Sequence, residues 1–208
     1  SATEQLMPYV KTLPLDTDTQ QHIIANPLML SMVASIFEIR KGVGMPETVS
    51  ELYQQASEAM LKRGGVVSEK LRRLLQAVFF EAHVAQQREI LDWQLDVAAL
   101  GQDRPELLKD IRRKAEKESA SEMHTECEPP SPAVRNALKR LRFRVAHDDL
   151  PLLSLLQAEP MQLQASHLSC QEFFAAKALC EGAVLSGSPP WEWTAWWDNT
   201  LKIGEGMG

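Results

Sequence analysis

The strongest constraint in this sequence is a change of apolar period that occurs twice between Val134 and Leu179. Val134, Leu138, Leu141 and Val145 recur at i, i+4, i+7 and i+11, which is one face of a helix. Met161, Leu163 and Ala165 then alternate with Gln162, Gln164 and Ser166, the period of a strand with one face buried. They answer the segment Leu152 to Gln157 across a short Ala-Glu-Pro connection, so the pair predicts a β-hairpin. Helical spacing returns at Phe173, Phe174, Ala176 and Leu179, and Ser169 with Glu172 has the spacing of a capping box in front of it.

Upstream, helical spacing dominates. A short helix is expected around Glu4 to Thr12, and Thr17 or Asp18 can cap the next one. Met29, Met32, Val33 and Ile36 predict a helix buried on more than one side, with Pro27 in its first turn and an exit at Lys41-Gly42-Val43-Gly44. Thr48 and Glu51 form a capping box ahead of Leu52, Ala56 and Met60, and Gly64-Gly65 ends that helix. A third helix starts at Ser68 and carries Leu71, Leu74, Leu75, Val78, Phe79 and Ala82 on one stripe. Asp92 and Asp103 read as N-caps of two shorter helices, the second with Pro105 and Glu106 in its first turn. From Lys114 to Pro132 the chain turns polar, which predicts a mobile surface insertion.

Several helices, a basic helix (Arg135, Lys139, Arg140, Arg142, Arg144), a hairpin and a closing helix follow the order of a winged-helix module. The expected fold is therefore mainly α: a helical bundle over residues 1–64, a winged-helix domain with a small β-hairpin wing over 65–182, and the start of a second helical domain over 183–208.

Composition removes several classes of function. A net charge of −6 argues against a dedicated nucleic-acid binder, which needs a positive field. The basic helix is the best case for DNA contact, but the hairpin carries no Lys or Arg with which a wing could grip phosphates. Cys127, Cys170 and Cys180 are an odd set without CxxC spacing, which excludes a disulfide framework or zinc site and fits a reducing compartment, so a cytoplasmic location is expected. His22, His83, His124 and His147 are scattered without metal spacing. No apolar run approaches the roughly 20 residues that span a bilayer. Trp191, Trp193, Trp196 and Trp197 could form a stacking platform, but Trp193, Trp196 and Leu201 better suit a helix face packed on a neighbouring domain. The ragged ends suggest a piece of something longer.

Two stretches resemble a known family. Asn26-Pro27-Leu28-Met29-Leu30-Ser31-Met32, followed by Met45-Pro46-Glu47-Thr48 and Glu51-Leu52-Tyr53, looks like the first helical domain after a NACHT-type nucleotide-binding domain. Ser166-His167-Leu168-Ser169-Cys170-Gln171-Glu172-Phe173-Phe174 looks like the end of that family's winged-helix domain. The family is the STAND class of signalling ATPases, which includes the NOD-like receptors of innate immunity. The resemblance implies that Pro27 packs against adenine and that His167 reaches the β-phosphate of ADP, locking a closed form. Ala25 departs from the Gly often found there. There is no GxxxxGK[ST] and no acidic strand for magnesium, so the chain is expected not to be an enzyme by itself, and no metal site is expected.

The function implied is regulatory: sensing ADP or ATP held by the preceding nucleotide-binding domain of the same chain. A repeat domain would follow, and activation would produce a homo-oligomer. The isolated piece would need no cofactor, no membrane and no nucleic acid. A winged-helix DNA-binding module and a passive helical interaction scaffold stand as the alternatives.

Overall fold

A computed structural model describes residues 8, 11, 27–39, 46–66, 68–108, 110, 129–183, 185 and 192–207. Of the expected helix Glu4 to Thr12, only residues 8 and 11 are described, both helical. The caps at Thr17 or Asp18, the exit at 41–44, most of the insertion, Cys127 and Trp191 lie outside the described residues.

α1 (Pro27–Ile39) begins on its proline, whose missing N–H costs nothing there. Met29, Met32, Val33 and Ile36 are buried, but Leu30 is 45% exposed, so one face rather than several is covered. α1 packs on α2 (Val49–Arg63). Thr48 caps α2: its Oγ1 accepts from the Glu51 N–H at 3.2 Å. The reciprocal arm of the expected capping box lands one residue early, on the Glu47 N–H at 2.8 Å. α2 ends at Gly64, and Gly65 takes a φ of +68°, where a Cβ would be strained.

α3 (Glu69–Val84) is the central helix. Its predicted stripe of Leu71, Leu74, Leu75, Val78, Phe79 and Ala82 is buried throughout. A short strand, β1 (Glu89–Leu91), leads into α4 (Asp92–Asp103) and a 3-10 turn at Pro105–Leu107. Both expected Asp caps differ here. Leu91 occupies the cap position of α4, and the Gln94 side chain accepts from its N–H at 2.7 Å. Asp92 is instead the first helical residue, turned toward Arg142. Asp103 is the last residue of α4 and accepts from the Ser131 hydroxyl at 3.0 Å and the Ser131 N–H.

α5 (Pro132–Ala146) buries Val134, Leu138, Leu141 and Val145 as the spacing requires. β2 (Leu153–Gln157) and β3 (Gln162–Ala165) form the expected hairpin, with Leu163 and Ala165 buried. β1 adds antiparallel to β3, pairing Ile90 with Leu163 and giving the order β1-β3-β2. Three residues are too few to show alternation, so this strand was invisible in the sequence. Helix, strand, helix, helix and hairpin, with β3 central, is the winged-helix arrangement.

α6 (Leu168–Cys180) packs on α3, and α7 (Asp198–Glu205) packs on α6. One contiguous buried cluster runs from Met29 and Val33 through Phe79, Leu141 and Phe173 to Ile203. A satellite cluster joins Phe80, Ala175, Ala178 and Trp197. Trp193, Trp196 and Trp197 therefore pack against α3 and α6. Fully burying a side chain such as Phe79 or Phe173 stabilises by about 1.5–3 kcal/mol, which is why α3 and α6 hold their places without strong caps.

Candidate functional site

The candidate residues named by the sequence sit at two helix starts. Pro27 is the exposed first residue of α1. His167 is the N-cap residue of α6, with extended backbone at φ −143° and ψ 139°. Its carbonyl accepts from the Cys170 N–H at 3.0 Å. Its imidazole is exposed and makes no hydrogen bond among the described residues. The first turn of α6 contains no acidic residue. Amides of a first helical turn lack intrahelical partners and form the positive end of the helix dipole, so this end favours an anion.

Ser169 and Glu172 do not form the expected capping box. Ser169 lies inside the first turn and hydrogen-bonds the Tyr53 hydroxyl. Burial pushes the Tyr53 pKa up to about 12, although the Ser169 bond acts the other way. Glu172 is drawn into the core and accepts from Asn199 Nδ2 at 2.5 Å. Burial raises its pKa; the Asn199 bond only partly opposes that. Packing claimed both side chains, and the His167 ring at the helix start is left without a hydrogen bond among the described residues.

α1 packs against α2, and α2 against α6. Neither Pro27 nor His167 lines either of the two cavities below.

The larger cavity, about 840 Å³, lies between α2, α3, α4 and α6 over Leu61, Phe80 and Phe174. On its rim Arg73 pairs with Glu69 at 3.0 Å, Gln76 donates to Glu181 at 2.6 Å, and Lys177 donates to Gln54 at 3.2 Å. Around it Arg72, Arg73 and Lys177 stand against Glu58, Glu69, Glu81 and Glu181, so the lining is slightly acidic. The smaller cavity, about 540 Å³, lies between α5 and the turn joining α2 to α3, lined by Val66, Leu71, Lys139, Arg140, Phe143 and Arg144 among others.

The basic helix α5 splits in two. Arg142 Nη2 reaches Asp92 and Asp96, each at 2.9 Å. Burial disfavours its charge, but the two carboxylates outweigh that and raise its pKa. Arg144 hydrogen-bonds the Gly64 carbonyl and, at 3.3 Å, that of Gly65. Arg135, Lys139 and Arg140 stay exposed. Sequence reasoning missed Phe143, which is 60% exposed between these cations. The signal was available, because Phe143 falls off the Val134–Leu138–Leu141–Val145 stripe.

His83 was also passed over. It is wholly buried, with Nε2 2.8 Å from Thr200 Oγ1. Cys170 is buried, and burial pushes its thiol up to about 11, as expected of a packing residue; Cys180 is exposed. Among the described residues, no group of three or more His, Cys, Asp or Glu could hold a metal ion. Among them also, no helix is long and apolar enough to cross a membrane. Comparison with protein-family models, with curated proteins and with solved structures finds no match.

Proposed function

We propose that this chain is the regulatory, non-enzymatic arm of a cytoplasmic NACHT-type signalling ATPase. It closes over ADP bound to a preceding nucleotide-binding domain and moves away on activation, freeing the parent to oligomerise. The observation that carries the reading is His167: an exposed imidazole, without a hydrogen bond among the described residues, at the start of a helix whose first turn holds no acid. An imidazole N–H beside a dipole's positive end is suited to a phosphate oxygen supplied from outside the chain. Pro27 supports the same reading as an exposed, apolar, conformationally fixed residue able to lie against an adenine face.

The DNA-binding alternative is disfavoured by Arg142 and Arg144, which are spent on carboxylates and carbonyls of the same chain. A hinge at the start of α6 is not required: α1 to α7 share one buried core, so these helices can move as a unit.

The test uses the parent protein loaded with ADP. His167→Ala should shift it from monomer toward oligomer without added activator, read by size-exclusion chromatography with light scattering. A variant that stays monomeric under every nucleotide condition in which wild type does would return His167 to a structural role and remove the phosphate-side anchor of the switch.

A further inference from the structure

α5 offers one face that the fold leaves unused. Two of its cations, Arg142 and Arg144, are committed internally. Lys139 and Arg140 are exposed and form no ion pair among the described residues. Phe143 lies one helical turn further on and is the most exposed large hydrophobic side chain described, at 60%. Its ring is held in place: it stacks on His147 with centroids 4.1 Å apart and planes 28° from parallel. The His147 Nδ1 is in turn 2.7 Å from the Phe143 carbonyl. Beside it the groove drops to a floor of buried Val66 and Leu71. Arg144, tied to the carbonyls of Gly64 and Gly65, fixes the wall between α5 and the turn after α2.

Charge indicates what would sit there. The chain as a whole is at −6, yet this groove sets Lys139, Arg140 and Arg144 against a single acid, Asp149. An apolar floor, an aromatic edge and two cations without an ion pair among the described residues match an apolar side chain flanked by carboxylates. A duplex fits worse. Phosphate tracking needs cations along both the helix and the wing, and residues 153–165 contain neither Lys nor Arg, with Glu159 at the turn. Asp148 and Asp149 close the far end of α5, where the helix dipole is also negative.

We propose that the groove formed by Lys139, Arg140 and Phe143 docks an acidic segment of a partner protein, with an apolar side chain against Phe143 over Val66 and Leu71 and carboxylates on the two cations. This surface is independent of His167 and of any nucleotide.

The test is fluorescence anisotropy with labelled peptides of about ten residues carrying Leu, Phe or Trp at the centre and Asp or Glu on both sides. Saturable binding is expected at about 0.15 M salt with at least one of them. Phe143→Ser and the double variant Lys139→Glu, Arg140→Glu should each weaken it by about tenfold or more. Arg135→Glu, on the same helix but outside the groove, should leave it within about twofold. All these positions are exposed, so the variants should melt with wild type. Absence of saturable binding by every acidic peptide at about 1 mM would overturn the proposal. Binding indifferent to the groove variants would do the same. Tighter binding of a duplex of about 20 base pairs than of any peptide would reassign the face to nucleic acid.

Discussion

Two histidines in this chain show opposite uses of one side chain. His83 is 0% exposed, with Trp196 stacked on it at 5.1 Å and Trp197 edge-on at 4.4 Å. Thr200 meets its Nε2, and Trp196 Nε1 donates to its carbonyl at 3.0 Å. It fastens the segment after 191 to α3. His167 is exposed and its ring makes no hydrogen bond among the described residues. A histidine's role follows from what its neighbours leave it: the fold holds His83 by Nε2 and its ring faces, with Nδ1 buried and lacking a hydrogen-bond partner among the described residues, whereas the His167 ring stays exposed.

The largest effect expected from this contrast is on the buried member. His83→Ala would leave a cavity beneath two indoles and strip the Thr200 hydroxyl of its partner, a loss of about 3–5 kcal/mol. Urea unfolding followed by tryptophan emission measures it. A loss below about 1 kcal/mol would mean that the tryptophan segment is held by other contacts.

Acid should act through the same residue. Burial lowers the His83 pKa from 6.5 to about 4. Between those values the unfolded chain binds a proton that the folded chain refuses, so stability falls as pH drops through that window. The loss from this residue approaches about 3 kcal/mol by pH 4. Glu172 acts with the opposite sign. Its folded pKa is raised, so its contribution favours the fold as pH falls through the carboxylate range. Urea midpoints taken across pH 4–7 should therefore show an acid loss in wild type that His83→Ala largely abolishes. An identical slope in the two proteins would break the assignment.

The contrast also shows what could be read without a structure. Helix stripes were legible because burial enforces them: Leu71, Leu75 and Phe79 in α3, and Val134, Leu138 and Leu141 in α5, are all buried as their spacing demands. His83 continues the series Leu75, Phe79, His83 at four-residue steps, so its burial was written in the sequence and was missed because histidine was read only as a ligand. Caps were less legible. Thr48 does cap α2, whereas Ser169 and Glu172 have the same spacing but were taken by Tyr53 and Asn199, partners 116 and 27 positions away. Local spacing cannot report such competition. β1 was too short to show a period, and the groove at Phe143 depends on which of five cations the fold consumes. Only the packed chain sets that.

The smallest effect on stability belongs to His167. Exposed and unbonded, its replacement by Ala should change unfolding free energy by no more than about 0.5 kcal/mol. Its consequence for nucleotide should be the reverse of small. The measurement that tests the account most directly is the rate at which ADP leaves the parent protein, wild type against His167→Ala. A hydrogen bond to a charged phosphate oxygen is worth roughly 1.5–3 kcal/mol, so release should quicken by about ten- to a hundred-fold while the melting of the chain itself stays unchanged. Equal release rates in the two proteins would contradict the account.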